Sequence, residues 1–259
     1  MLKQLNIQRH VIGALLIREI HGRFRREGLG FGWLIGEPLM FALPVLILWS
    51  LVRARYEHGV PFMAIFVSGY MGILLFRHMG GSMMMFVRSN ANLLYHRQIT
   101  LLDIFLAKVL VEVVGNVTAL VVVYGVFIAA GRVEFPVNLP MFYLGYLFMI
   151  WWCVTVGLLV GALSERSKIV EKLWPVYSYT YLFYCGFFYM ADWLPPKLRV
   201  IALYQPSLQA YEMMRQGMLG SSVRTYGSPA YTTLVLAILT VIGLWAMRDT
   251  RKHVVLNIA

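Results

Sequence analysis

REIHGRFRREGLGFGWLIGEP, residues 18–38, decides the class of this chain: a basic stretch runs directly into the first long apolar segment. Basic residues ahead of apolar spans hold the N-terminal region of a membrane protein at the cytoplasmic surface. Just upstream, residues 4–22 read QLNIQRHVIGALLIREIHG. Leu5, Ile12, Leu15, Leu16 and Ile20 fall near one helical face, whereas Gln8, Arg9, Arg18, Glu19 and His21 do not. That pattern predicts an amphipathic helix lying in the interface rather than a span, with an unstructured basic tail as the alternative.

Downstream, six windows are apolar and long enough to cross ~30 Å of hydrocarbon as helices: 34–52, 60–79, 110–130, 141–163, 173–191 and 230–247. Lys and Arg orient them. Segments 1–33, 86–108, 164–172 and 248–259 carry 15 between them, against 7 in 53–59, 131–140 and 192–229. Both termini are therefore expected on the cytoplasmic side.

Two connections are too long to be turns. Segment 86–104 mixes Asn, Tyr and Arg with Leu and Ile at helical spacing and reads as a short cytoplasmic docking helix. In 192–229, Pro195-Pro196 and Pro206 divide the chain into two amphipathic pieces, 197–204 and 207–219, read as helices re-entering the outer leaflet. No repeat, low-complexity tract or second domain interrupts the pattern.

Composition agrees with an integral membrane protein: 59% of the 259 residues are hydrophobic, 14% are charged, and mean hydropathy is +0.68. The net charge of +11 sits between apolar spans, where anionic lipid rather than nucleic acid is its natural counterpart. Cys153 and Cys185 fall inside spans, and neither a disulfide framework nor a metal-ligand spacing is present. The sequence has no GxxxxGK[ST], so it binds no ATP through a P-loop of its own. Phe66-Val67-Ser68-Gly69, with His78 ten residues on, is a poor match to an intramembrane protease.

Four motifs in order carry a family resemblance. The first is Arg18-Glu19-Ile20, Arg23-Phe24, Leu29-Gly30, Trp33 and Glu37-Pro38. Asn92-Leu93-Leu94-Tyr95, Arg97, Asp103, Ala107, Leu110 and Glu112 follow, then Lys172 with Pro175. Leu194-Pro195, Pro206-Ser207-Leu208 and Arg215 complete the set. Over nearly its whole length the chain resembles the ABC-2 type permeases, in particular the KpsM-like capsular-polysaccharide export permeases of Gram-negative bacteria. Gln205-Pro206 departs from the usual Asn-Pro. The resemblance implies an all-α ABC-2 (type V exporter) fold in the bacterial inner membrane. It implies a homodimer docked on two ABC ATPase subunits, which bind the ATP and Mg, with no cofactor on this chain. It further implies export of a lipid-linked acidic polysaccharide, passed to a periplasmic co-polymerase or adaptor and an outer-membrane exporter.

In that role, aromatic rings that stack on sugar faces and donate hydrogen bonds suit a polymer path. Ten of the twenty residues from Trp174 to Trp193 are aromatic, and Tyr177, Tyr181, Tyr184 and Phe188 share one face if the helix is continuous. They are the candidate path, with a lipid-facing belt or helix packing as the alternative. Arg23, Arg25 and Arg26, with Glu37 and Arg77, could meet an acidic sugar or lipid headgroup, or simply anchor and pair. Lys108 and Glu112 are spaced to pair with each other. Asn90, Asn92, Leu94, Tyr95, His96 and Arg97 are the candidate contacts to the ATPase, beside an adaptable apolar shoulder at Met83–Phe86. Competing readings are a permease for another glycan, such as O-antigen or teichoic acid, a membrane-embedded glycan-modifying enzyme, and a secondary carrier. The six scattered histidines do not favour the enzyme, and the lack of inverted repeats does not favour the carrier.

Overall fold

The structure, a computed structural model, describes residues 2–27, 40, 44, 56–57, 60–94 and 99–258. Among these the chain is mostly helical. Its elements are α1 (Leu2–Glu27), the two-residue strands β1 (Tyr56–Glu57) and β2 (Val60–Pro61), α2 (Phe62–Met83) and the single turns α3 (Phe86–Ser89) and α4 (Ala91–Leu94). There follow α5 (Leu101–Ala129), α6 (Leu139–Arg166), α7 (Lys168–Tyr184), α8 (Pro196–Leu203), α9 (Pro206–Leu219) and α10 (Pro229–Ile258). The two strands pair antiparallel.

Four of these helices are long and apolar enough to cross a bilayer: α2, α5, α6 and the first 22 residues of α10. They coincide with the windows at 60–79, 110–130, 141–163 and 230–247. The expected span at 34–52 lies outside the described residues. The one at 173–191 is not a continuous helix. Its 17 residues, Lys168–Tyr184, give about 25 Å of rise, short of the hydrocarbon thickness. Gly186 then takes φ +93, a left-handed conformation that turns the chain out of the helix.

Local chemistry fixes the helix starts. Thr100 and Asp103 form a reciprocal capping box at α5: Asp103 N donates to Thr100 Oγ1 (3.3 Å), and Thr100 N donates to Asp103 Oδ2 (2.8 Å). Asn138 Oδ1 accepts from Met141 N at 3.1 Å to open α6, and Ser167 Oγ accepts from Ile169 N to open α7. Pro196 and Pro206 start α8 and α9, where a missing N–H costs nothing.

Helix α2 is the hub, with 16 of its 22 residues buried. It packs on α5, α6, α7 and α9; α6 in turn carries α9 and α10, and α1 lies along α5. Helix α9 is short, polar in part and yet buried at 12 of 14 positions. Two glycines let it press against α6. A Cβ on Gly217 would stand 2.3 Å from the Phe142 nitrogen, and one on Gly145 would stand 2.5 Å from the Met214 nitrogen. Small residues at such crossings are what allow two backbones to touch within a membrane bundle.

Helix α1 is held by polar clips as well as by buried Leu15. Gln8 donates to Asp103, and Lys108 Nζ pairs with Glu19 Oε2 at 3.1 Å. Lys108 thus reaches a partner 89 residues away, one that its spacing to Glu112 did not suggest; Glu112 is itself buried. Asp103 serves both the α5 cap and the α1 clip. Asp103→Ala is expected to cost about 1 kcal/mol for the cap alone and to release α1. Hydrogen exchange should quicken across residues 2–27 while α2 and α6 stay protected.

Candidate functional site

The bundle has two chemically distinct ends. At one, α1, the α3–α4 elbow, the α6–α7 corner and the Ala246–Thr250 stretch of α10 converge. Arg18 Nη2 donates to Asn90 Oδ1 and to Glu19 Oε1 (2.9 Å). Burial alone raises the Glu19 pKa, but the Lys108 ammonium and the Arg18 guanidinium outweigh it and hold the carboxyl below its ordinary value. A depressed carboxylate stabilises docking above its unfolded pKa and loses that contribution as pH falls through the folded one. Arg166 Nη2 binds Asp249 Oδ2 at 2.7 Å, tying α6 to α10.

The segment expected as one docking helix over 86–104 holds two single turns, and from Leu101 onward it belongs to α5. Met85 adopts φ +53 before the first turn. Asn90 points inward, donating to the Phe86 carbonyl at 2.8 Å as well as accepting from Arg18. Asn92 is exposed. The Leu94 side chain and Tyr95, His96 and Arg97 lie outside the described residues. So do the side chains of Arg23, Arg25 and Arg26, and Glu37.

Sequence reading missed the residues that hold the elbow: Arg88, Ser164, Glu165 and Glu171. Glu165 accepts from Val87 N, Arg88 N and Arg88 Nε, and Arg88 Nη1 lies 3.3 Å from Glu171 Oε1. The only sequence signal was opposite charge in two segments expected on the same membrane side.

Aromatic side chains line α7. Tyr181 is 2% exposed, stacked on Phe76 at 4.0 Å and accepting from Trp152 Nε1 at 2.9 Å. It is packed between α2 and α6. Tyr177 and Tyr184 are 41% and 42% exposed, with ring centroids 6.5 Å apart and 5.7 and 5.2 Å from Tyr181. Their open faces, backed by the buried ring, can stack on a sugar. Phe188 does not continue that face, because the helix has already ended; its ring packs on Phe187. Arg77 joins neither group. Its guanidinium sits 4.1 Å from the Tyr179 ring centroid, a cation–π contact. Tyr179 is two residues beyond Tyr177, on the other flank of α7.

At the opposite end, α9 carries a buried polar network. Arg215, with no exposed surface, donates to the carbonyls of Gly186 (2.8 Å), Phe187 (2.8 Å) and Tyr189 (2.6 Å). Glu212 accepts from Ala191 N (3.0 Å) and Tyr226 N (3.1 Å). Gln209 accepts from Ser228 N and donates to the Leu203 carbonyl. Arg199 binds the carbonyls of Ala191, Asp192 and Leu194, and donates to the Tyr226 hydroxyl. Arg215 belonged to the last sequence motif; its role as the clamp on the α7 exit was not readable there.

A family model of the ABC-2 type transporters matches residues 10–219, from α1 through the last residue of α9. The chain belongs to the ABC-2 type transporter family. Relatives align along nearly its whole length. It is 34% identical to the capsule polysaccharide export inner-membrane protein CtrC of Neisseria meningitidis serogroup B, over 97% of this chain and 95% of that one. The corresponding protein BexB of Haemophilus influenzae is 29% identical, again over 97% and 95%. The polysialic acid transport protein KpsM of Escherichia coli is 21% identical over 97% of each. The ABC-2 match takes in the elbow, the α6–α7 corner, the tyrosines of α7 and helix α9 with Arg215 and its carbonyl partners.

Proposed function

We propose that this chain is the membrane permease subunit of an ATP-driven exporter that moves lipid-linked, acidic capsular polysaccharide out of the cytoplasm across the bacterial inner membrane. The observation that carries this reading is family membership combined with end-to-end similarity to three proteins named for capsule polysaccharide or polysialic acid transport.

In this reading α7, short as it is, serves as the fifth of six spans with the bilayer thinned around it; both termini then lie in the cytoplasm, two copies form the channel, and each docks one ABC ATPase at the elbow. The ATPases hold the nucleotide and Mg; this chain supplies the path and performs no chemistry of its own. Asn92, Leu94, Tyr95, His96 and Arg97 form the docking edge, with Asn90 supporting it from within. Tyr177 and Tyr184 offer the growing polymer their open faces. Arg23, Arg25, Arg26, Glu37 and Arg77 serve lipid or acidic headgroups. Helices α8 and α9 re-enter from the periplasmic side, where an adaptor would take over the polymer. A permease for O-antigen or teichoic acid is the neighbouring reading; the capsule names of the relatives favour the first.

The test is co-purification of the tagged chain with a candidate ATPase in mild detergent, comparing wild type with the double variant Tyr95→Ala, Arg97→Ala. The wild type should retain the ATPase and the double variant should lose it while remaining monodisperse. No ATPase on the wild type in any nucleotide state would sink the exporter reading. Retention by the variant would move the docking edge away from 95–97.

A further inference from the structure

The elbow and the α6–α7 corner, 77 residues apart, are joined by backbone N–H groups of the elbow and by the Arg88 guanidinium. The Glu165 side chain is 1% exposed and takes three donors: Val87 N (3.0 Å), Arg88 N (3.2 Å) and Arg88 Nε (3.0 Å). Arg88 Nη2 donates to the carbonyls of Ser164 (3.1 Å) and Glu165 (3.3 Å), in the last turn of α6, and Met85 N donates to Ser164 Oγ. A buried carboxylate does not give up three donors without leaving its charge unpaired. The elbow and the end of α6 must therefore move together.

Helix α7 is attached differently. Along the chain a single residue, Ser167, connects it to α6, extended at φ −142 and ψ 119, while Tyr181 further along packs between α2 and α6. A single non-helical residue between two rigid helices is a hinge. The cross-tie over that hinge is Arg88 Nη1 to Glu171 Oε1, 3.3 Å apart. It is an ion pair with no aligned N–H, for that oxygen accepts no hydrogen bond. The α6 limb is saturated, while the α7 limb rests on one ion pair without an aligned hydrogen bond.

We propose that Arg88 sets the tilt of α7 at the Ser167 hinge, so that displacement of the elbow carries α7 and its tyrosine rings with it. The inference rests on the exporter reading, in which an ATPase displaces the elbow. Arg88, Glu165 and Glu171 are positioning residues; none needs to touch the polymer.

The experiment uses the permease–ATPase complex in nanodiscs, spin-labelled at Ser89→Cys and Val176→Cys, both exposed positions. The two native cysteines are buried and do not compete for label. In the otherwise wild-type chain, the distance between labels should be the same without nucleotide and with a non-hydrolysable ATP analogue. In Glu171→Gln the distribution should broaden and shift with nucleotide. Surface capsule should fall about tenfold, with ATPase retention and basal hydrolysis unchanged. Glu171→Asp, which keeps the charge at the hinge, should restore export, as a merely space-filling role would not require. Normal export by Glu171→Gln, or a wild-type distance that already shifts with nucleotide, overturns the inference and leaves the exporter reading standing. A wild-type chain that holds no ATPase overturns both.

Discussion

Arg215→Met is expected to lower the apparent Tm of the detergent-purified chain by about 6–12 °C and to abolish export. Methionine matches the bulk of the arginine stem but donates nothing. Three carbonyls, those of Gly186, Phe187 and Tyr189, then lose their donor inside the bundle. Each such orphan costs about 1–3 kcal/mol, so the total is at least about 3 kcal/mol, enough for that fall in Tm. Glu212, whose carboxylate sits one turn away, also loses the nearby positive charge. Arg215→Lys should recover only part of the stability, since one ammonium cannot imitate a planar fork spread over three acceptors. Fluorescence-detected size exclusion after a heat ramp reads the effect. A Tm within about 2 °C of wild type for Arg215→Met would mean that the α7 exit holds its shape without the clamp.

The second large effect is steric. Gly217→Ala should separate α9 from α6, because the new methyl would stand 2.3 Å from the Phe142 nitrogen and 2.5 Å from its Cα. Backbone atoms cannot rotate away as side chains can, so the cost lies at or above the upper end of the about 1–3 kcal/mol usual for overpacking. Gly145→Ala meets the Met214 nitrogen and the Ala210 carbonyl at the same interface. Once one methyl has pushed the helices apart, the second has less to displace. The double variant should thus be less destabilised than the sum of the singles. Thermal unfolding of all three variants measures this, and strict additivity would show that the helices do not move as rigid bodies.

Much of the bundle was legible because hydropathy and proline act locally. Helices α2, α5, α6 and α10 stand where apolar runs of spanning length stood, and Pro196 and Pro206 start the two short helices they were expected to separate. What was not legible is whatever depends on contacts distant in sequence. Helix α7 stops at Tyr184 because Gly186 turns and Arg215, 29 residues on, donates to the carbonyls of the chain beyond it. The aromatic run past 184 looked helical only because nothing local forbade it. The Lys108–Glu19 pair escaped the sequence for the same reason: spacing along one helix cannot see a second helix laid beside it. Among the candidate site residues, one aromatic face resolved into a buried ring, Tyr181, and two open ones, Tyr177 and Tyr184. Periodicity assigns a face but not its depth. The Arg88–Glu165–Glu171 tie left only a trace of opposite charge in two distant segments, on the same grounds.

Helix α9 has a consequence for how the chain is made. Its polar side chains are satisfied from both directions along the sequence: Arg215 by residues 186–189, Glu212 by Ala191 and Tyr226, Gln209 by Leu203 and Ser228. During synthesis it emerges before its later partners exist, so it cannot settle as an ordinary insertion segment would. Its final seating must wait until residue 228 has left the ribosome and α10 begins to form. Premature termination anywhere between 219 and 225 would leave Glu212 and Gln209 half-partnered, and a nascent chain stalled there would present quality-control proteases with an unsealed bundle.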